Sequence, residues 1–275
     1  MERKAPPREV LLVAAAALLW SSGGLFIKIA PMPPLAVACG RAVVASLFYV
    51  AALRPRMREA RLATALAYAA CVVTFVTATR LTTAANAIFL QYTGPAYVLL
   101  LSPFLLDEPF QRLDAICVAL SLAGMALFFV DKLEAGQLAG NVIATASGVF
   151  FALTVLFIRR DAKSGTGDAM PSMTLGNVVA VLGTAPFAAA LLHLSGRGVL
   201  VLLYLGVMQL GVSYWLFARG VRRVPAAEAS LISMLEPVCN PLWVLLGTGE
   251  RPGPWSVVGG AVVLGAVALR TIVKP

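Results

Sequence analysis

The stretch AANAIFLQYTGPAYVLLLSPFLLDE, residues 84–108, occurs a second time in altered form as AAEASLISMLEPVCNPLWVLLGTGE, residues 226–250. An ungapped offset of 142 residues aligns Pro95 with Pro237 and also aligns the final glutamates of the two stretches. Matching Ala and Leu residues mean little in so apolar a chain, whereas a proline in mid-run followed by a glutamate 13 positions later is specific. The chain is therefore predicted to contain a duplicated unit.

The composition indicates a membrane protein. The 275 residues are 60% hydrophobic and 13% charged, with a mean hydropathy of +0.86, whereas soluble domains carry roughly 25% charged residues. A spanning helix needs roughly 20 apolar residues, so ten helices use nearly the whole chain. The apolar runs are continuous, which excludes the alternating strands of a β-barrel. The predicted fold is an all-α polytopic membrane protein with ten transmembrane helices arranged as two inverted five-helix repeats.

The helix boundaries follow from prolines, glycines and charged residues at the ends of the apolar runs. The ten helices are predicted at about 10–30, 35–53, 62–79, 84–106, 113–130, 137–158, 170–193, 199–218, 226–246 and 255–272. The N-terminal part, 1–160, holds helices 1–5 (about 10–130) and helix 6, which leads to a linker at 161–168. The C-terminal part, 170–275, holds helices 7–10. The boundary between the repeats is predicted at about 131–136.

The basic residues cluster at helix ends, as topology signals do. With the N-terminus in the cytoplasm, all but six of the 22 Lys and Arg residues fall on the inner side. Arg41 lies within helix 2, and the outer side holds Lys28, Arg80, Lys132, Arg197 and Arg251. Both termini are therefore predicted in the cytoplasm, with the chain spanning a bacterial-type inner membrane. Five helices per repeat then give the halves opposite orientations, the usual architecture for alternating access.

Enzyme and cofactor motifs are absent from the sequence. The only histidine, His193, lies at a predicted helix end, and HExxH, GxSxG and GxxxxGK[ST] do not occur. The four cysteines lie inside apolar runs and show neither a metal-binding spacing nor a disulfide framework. The net charge of +9 forms no patch interleaved with aromatic residues, so no nucleic-acid partner is expected. We therefore expect no enzyme activity, no cofactor and no metal.

Three ionisable residues lie within or at the ends of predicted spans, where charges are costly and usually functional or paired. Glu236, just before Pro237, either carries a proton or attracts a substrate ammonium, or else caps backbone groups or pairs with another helix. Arg41 either pairs with a carboxylate or a substrate carboxyl group, or packs and snorkels. Lys28 ends helix 1 and is predicted to anchor it at the interface. We assign Arg41 and Lys28 gating or structural roles.

Polar and aromatic residues at mid-depth form the predicted substrate site, because aromatic walls with a few oriented hydrogen bonds suit an amphipathic organic molecule. Pro95 and Pro237 interrupt two helices there, and such breaks tend to face a cavity. The predicted substrate-binding residues are Trp20, Ser21, Gln91, Tyr92, Tyr214, Trp215, Ser233 and Glu236. Tyr214 and Trp215 alternatively belong to the interfacial aromatic belt. In helix 10, Ala261 and Gly265 are predicted to form a packing surface.

The sequence resembles the drug/metabolite transporter superfamily through LLWSSGGLFIK in helix 1, Pro95 with Glu108, and LEP…GE at 235–250. It is similar to the ten-helix EamA-type exporters and, more narrowly, to the aromatic amino acid exporter branch. The resemblance implies a basket of helices 1, 3, 4, 6, 8 and 9 around a central substrate cavity. It also implies that Glu108 and Glu250 have structural or gating roles. Trp20 and Ser21 stand where four-helix multidrug relatives keep a glutamate, which argues against their cation antiport.

The predicted function is export of small amphipathic metabolites, above all aromatic or apolar amino acids, by alternating access through a central cavity. The expected partners are a small-molecule substrate and the lipid bilayer, and proton coupling is left open. Two alternatives remain: a multidrug exporter of lipophilic cations, and a non-transport membrane enzyme that modifies lipids.

Overall fold

The computed structural model describes residues 6–82, 84–130, 137–164, 168–248 and 253–273. The regular structure in these ranges is helical throughout. Glu250 and the predicted repeat boundary at 131–136 lie outside the described residues, as do the side chain of Lys28 and linker residues 165–167.

The described residues form ten helical runs, numbered α1 to α10 in chain order. Four are single helices: α3 Leu62–Leu81, α5 Arg112–Phe129, α6 Leu138–Lys163 and α10 Pro254–Ile272. Three are broken in the middle: α1 Pro7–Ser21 and Gly23–Lys28, α4 Ala84–Gln91 and Gly94–Leu106, and α9 Ala226–Ser233 and Leu235–Thr248. The other three change their winding: α2 Pro34–Phe48 with π-helical Tyr49–Leu53, α7 Met170–Thr184 with 3₁₀-helical Ala185–His193, and α8 Gly196–Leu203, π-helical Tyr204–Val212 and Ser213–Gly220. A short 3₁₀ turn, Met57–Glu59, precedes α3.

Within the described ranges, nine helices are long and apolar enough to cross a membrane. They correspond to α1–α8 and α10, and their mean hydropathies lie between 1.3 and 2.1. This confirms the predicted all-α polytopic membrane fold. The tenth span, expected at α9, stays a prediction.

The two prolines determine where α4 and α9 break. Proline lacks a backbone N–H and clashes with the preceding turn, so the first turn of a helix accommodates it best. Pro103 and Pro241 lie further inside the second half-helices of α4 and α9, which continue through them. Pro95 is the second residue of one half-helix and Pro237 the third residue of the other. The breaks fall at Tyr92–Thr93 and at Met234, and Tyr92 and Met234 are equivalent under the 142-residue offset. The duplicated stretch therefore has the same broken-helix geometry in both copies.

The helix interfaces follow the repeat as well. In two five-helix repeats, α1–α5 correspond in order to α6–α10. α3 packs along α6, and the corresponding helices α8 and α1 also pack along each other. The contact of α3 with α7 corresponds to that of α8 with α2. The contact of α4 with α6 likewise corresponds to that of α9 with α1. In the two remaining pairs, α2–α7 and α5–α10, each helix packs against its own counterpart in the other repeat. The contacts therefore fit two five-helix repeats, because each contact between helices recurs between the corresponding helices.

Glycine permits the close approach of α5 and α10. A Cβ at Gly259 would overlap the carbonyl oxygen of Gly124 and the backbone nitrogen of Phe128. The predicted packing residues Ala261 and Gly265 are instead exposed, and a Cβ at Gly265 would meet no atom within 4 Å. That prediction was wrong because residues facing lipid are as apolar as those facing α5, so composition does not reveal which face is packed.

Glu108 connects three segments at one end of the bundle, which we call the Glu108 end. Its Oε1 atom accepts a hydrogen bond from Arg159 Nε at 2.7 Å and lies 3.4 Å from Lys163 Nζ. Its Oε2 atom accepts from the backbone N–H of Ala226 at 2.9 Å, at the N-terminus of α9, where a carboxylate is electrostatically favoured. Arg159 also donates from Nη1 to the carbonyl of Val221 at 2.5 Å.

A second buried ion cluster lies at the same end. Arg270 at the end of α10 donates from Nε to Asp114 at the start of α5, and its Nη1 atom lies 3.5 Å from Glu228 Oε2 at the start of α9. All three side chains are buried. Together with the Glu108 contacts, this cluster joins α4, α5, α6, α9 and α10 at the Glu108 end.

The close approach of α5 and α10 predicts different outcomes for two glycines of one helix. We expect Gly259→Ala to destabilise the protein by about 1–3 kcal/mol because the added methyl group overpacks the interface. Gly265→Ala, with open space around it, is the matched control and should leave the melting temperature of the detergent-solubilised protein unchanged. Equal melting temperatures for both variants would contradict this packing.

The Glu108 contacts predict a loss of stability on neutralisation. Glu108→Gln keeps the size of the side chain but leaves buried Arg159 without its counter-charge, which costs on the order of 3 kcal/mol. We expect a clearly lower melting temperature in thermal unfolding. The control is Glu59→Gln, which removes a partner of the exposed Arg56 at 3.7 Å and should change stability by less than about 0.5 kcal/mol. The same melting temperature in both variants would argue against a structural role for Glu108.

Candidate functional site

The two helix breaks meet through a hydrogen bond between side chains. Tyr92, at the break of α4, donates from its hydroxyl to Glu236 Oε2 at 2.5 Å. Glu236 lies two residues after the break of α9 and is half-buried, whereas Tyr92 is buried. The two residues are not equivalent in the repeat, since Tyr92 aligns with Met234 and Glu236 with Gly94. Each repeat therefore contributes a different polar group to one place.

An aromatic cluster from α1, α3 and α8 lies in the same core. The ring of Trp20 lies 4.9 Å from that of Tyr214 and 5.2 Å from that of Phe217. Tyr68 packs edge-on against Tyr214 at 4.9 Å and donates its hydroxyl proton to Asn177 at 3.0 Å. The Trp20 indole N–H is buried and has no hydrogen-bond partner among the described residues. The cluster is a wall of large rings with an unsatisfied donor.

Arg41 brings a positive charge to this region. It lies on α2 with only 3% of its surface exposed, and its one hydrogen bond within the described ranges runs from Nη1 to Gln209 Oε1 at 3.4 Å. The Gln209 side chain in turn lies against Gly23, beside the break of α1. Tyr92, which bonds to Glu236, belongs to the same contiguous buried cluster as Trp20, Tyr68 and Tyr214. A cation and a carboxylate therefore lie near the same aromatic wall without a direct bond between them.

The predicted substrate residues separate into two groups in the structure. Trp20 contacts Tyr214 and Tyr92 contacts Glu236, while Gln91 extends its Nε2 to 3.8 Å from the sulfur of buried Cys71. These residues lie in the central core.

The other three predicted residues bond elsewhere. Ser21 donates to Leu18 O at 2.6 Å and accepts from Trp243 Nε1 at 2.7 Å, which connects α1 to α9. The hydroxyl of Ser233 is directed to Ala229 O of its own helix at 2.9 Å. Trp215 stacks under the Arg219 guanidinium at 4.1 Å, an arrangement that fits the interfacial alternative.

Sequence reasoning missed two members of the core. Tyr68 lies in the middle of α3, a run that has no proline or charge near it, and only its aromatic and polar character could have marked it. Gln209 was not predicted to belong to the site, and its contact with Arg41 joins α8 to α2. Both contacts join residues more than 100 positions apart, which no local pattern predicts.

The access to this region differs between the two ends of the bundle. On the Glu108 side α4 and α9 pack against each other through Gly94–Leu106 and Ala226–Ser233, and the latter segment is buried throughout. The remaining halves pack on different neighbours, Ala84–Gln91 on α6 and Leu235–Thr248 on α1. Glu236 and Gln91 are half-buried where these halves begin to diverge. The core is sealed on the Glu108 side.

Comparison with known proteins agrees with this architecture. The model of the EamA-like transporter family matches twice, at residues 7–130 and 138–272. An uncharacterized transporter of Archaeoglobus fulgidus is 26% identical over 72% of this chain and 71% of its own length. The uncharacterized transporter YwfM of Bacillus subtilis is 29% identical over 54% of this chain and 51% of its own length. Neither name specifies a substrate, so these matches do not extend to the aromatic amino acid exporter branch.

The fold also matches a solved crystal structure with a TM-score of 0.83, covering 96% of this chain and 97% of the other at 19% identity. At that identity the likeness shows the fold alone. The family matches cover nearly the whole chain and confirm the resemblance to EamA-type members of the drug/metabolite transporter superfamily. The chain belongs to the EamA-like transporter family and is a multi-pass membrane transporter.

Proposed function

We propose that this transporter exports small amphipathic metabolites, with aromatic and other apolar amino acids as the expected class, by alternating access through a central site. The main support is the hydrogen bond between Tyr92 and Glu236, which brings the breaks of α4 and α9 together. Broken helices that meet at mid-depth between repeats are typical of transporter substrate sites. Beside them, the rings of Trp20, Tyr68 and Tyr214 offer the apolar surface that such substrates need.

The proposed orientation places the Glu108 end in the cytoplasm of a cell with a bacterial-type inner membrane. The support is the excess of Lys and Arg in the loops assigned to that side. In this orientation the arrangement is closed toward the cytoplasm, and the site is reached from the outer side.

The repeat suggests how the access changes sides. The contact between Gly94–Leu106 and Ala226–Ser233 closes the Glu108 end. The 142-residue offset maps this contact onto one between 84–91 and 236–248, at the opposite end. Forming the second contact while breaking the first would open the core toward the Glu108 end. The glutamate at position 250, equivalent to Glu108, would then support the second contact.

Export of lipophilic cations is the second candidate, and one observation favours it. Glu236 is a half-buried carboxylate near aromatic rings, and none of the described cationic side chains bonds to it. Such a group suits a hydrophobic cation. Arg41, which bonds to Gln209 beside the break of α1, opposes this candidate because a guanidinium in the same core repels a second cation.

A transport assay separates these candidates. We expect saturable uptake of labelled phenylalanine, tryptophan or leucine into proteoliposomes that contain the purified full-length chain, measured with and without a proton gradient. Protein-free liposomes and a panel with glutamate, lysine and tetraphenylphosphonium serve as controls. Saturable uptake of tetraphenylphosphonium alone would favour the second candidate. No saturable flux of any amino acid would contradict the proposed substrate class.

The hydrogen bond of Tyr92 predicts a second result in the same assay. Tyr92→Phe removes the donor to Glu236 without changing the ring, and hydrogen bonds to charged groups have effects of about tenfold. We expect the transport efficiency, measured as kcat/KM, to fall by about that factor. Tyr97→Phe on the same helix is the matched control, because the Tyr97 hydroxyl has no hydrogen-bond partner among the described residues. Equal efficiencies for both variants would show that this bond plays no part in transport.

A further inference from the structure

Arg41 differs from the other deeply buried arginines of the described chain. Arg159 bonds to Glu108 and Arg270 to Asp114, so each has a carboxylate partner. Arg41 is as deeply buried, yet its only hydrogen bond in the described ranges is the long one to the neutral amide of Gln209, and its Nε atom has no partner. A guanidinium in the membrane interior without a counter-charge is costly. Its burial without a carboxylate partner therefore needs an explanation other than stability.

Glu236 is a carboxylate in the same core that bonds to none of the described cationic side chains. Tyr92 donates to its Oε2 atom, and no described group donates to Oε1. The side chain is half-buried rather than sealed, so a ligand can reach it. Tyr92 alone leaves most of the acceptor capacity of a carboxylate unused.

The two charges belong to one region of the core. Arg41 donates to Gln209, whose side chain lies against Gly23, one turn beyond Trp20 on α1. Tyr92, which donates to Glu236, belongs to the same contiguous buried cluster as Trp20 and Tyr214. Arg41 and Glu236 form no direct ion pair among the described residues, and each bonds to a neutral side chain instead. The aromatic wall of Trp20 and Tyr214 lies beside them.

We infer that Arg41 binds the carboxylate of the substrate and Glu236 binds its ammonium group, so that the site selects zwitterions. This inference rests on the proposed function and specifies the recognition within the same site. A zwitterion neutralises both unpaired groups at once, whereas a cation satisfies only Glu236 and an anion only Arg41. The apolar part of the substrate then lies against the aromatic wall.

Equilibrium binding to the purified full-length chain in lipid nanodiscs tests this inference with three labelled ligands. L-phenylalanine has both charges, 2-phenylethylamine lacks the carboxylate and 3-phenylpropionate lacks the amine. We expect wild-type protein to bind L-phenylalanine at least about tenfold more tightly than either analogue, as the loss of a buried charged contact implies. Arg41→Gln should weaken phenylalanine binding by about tenfold or more and leave 2-phenylethylamine within about twofold. Glu236→Gln should also weaken phenylalanine binding, but it should leave the binding of 3-phenylpropionate within about twofold.

A third variant avoids the risk that removing a buried charge simply disturbs folding. Gln209→Glu places a carboxylate of the same size beside Arg41, where the amide oxygen already lies at 3.4 Å. This internal carboxylate should maintain or raise the melting temperature while it occupies the guanidinium. We therefore expect weaker binding of phenylalanine and 3-phenylpropionate, and unchanged or tighter binding of 2-phenylethylamine.

Several results would overturn the inference. These are wild-type binding that does not distinguish phenylalanine from its analogues, no phenylalanine binding at all, or Gln209→Glu protein that binds phenylalanine as tightly as wild type. The proposed function is judged separately by flux. Selective binding without flux would contradict export but support the charge assignment, and flux without charge selectivity would do the opposite.

Discussion

Proline cannot donate a backbone hydrogen bond, and the core of this bundle depends on where that restriction falls. Backbone groups left unpaired at membrane depth are tolerated only where protein or a cavity meets them. Pro95 and Pro237 each lie in the first turn of a half-helix, where the missing donor is least harmful. The breaks therefore fall just upstream, in the interior of the bundle. Tyr92 and Glu236 meet there because these helices are interrupted at the same depth.

Much of this architecture could be predicted from the sequence, because it rests on local patterns. Apolar runs of membrane length predicted the helical fold, and the alignment of Pro95 with Pro237 predicted that α4 and α9 would be interrupted at equivalent places. The exposed face of α10 was not predictable, since lipid and protein neighbours both select apolar or small residues there. The sequence therefore indicates which residues are at mid-depth more readily than it indicates what they face.

The candidate site was predictable only in part, and the reason is sequence separation. Trp20, Tyr92 and Glu236 could be chosen from depth and chemistry alone. Glu108 accepts a hydrogen bond from the N–H of Ala226, which lies 118 residues away in the chain. No pattern in either segment predicts that contact. Trp215 shows the converse limit. It is adjacent to Tyr214 in the chain, yet neighbouring positions on a helix point about 100° apart, and it stacks with Arg219 instead.

Buried charges are distributed unequally along the bundle. At the Glu108 end the buried cations Arg159 and Arg270 both have carboxylate partners, and breaking such a pair is strongly destabilising. In the central core Arg41 and Glu236 are left without direct ionic partners. A protein that needed these charges only for stability would gain by pairing them or by replacing them with apolar residues. Their separation is better explained by a ligand that bonds to both.

The repeat itself explains why there is one carboxylate at the breaks and not two. Gly94 is the position equivalent to Glu236, and an ideal Cβ there would lie 2.9 Å from the Phe151 ring and 3.1 Å from the carbonyl oxygen of Gly148. The first repeat therefore has no room for a side chain at this position unless α4 and α6 move apart. A second carboxylate would also repel the first at close range. The duplication thus supplies two equivalent breaks, but packing of α4 on α6 restricts the charge to α9. A site with one carboxylate on one side and one guanidinium on another favours a single orientation of a zwitterionic substrate.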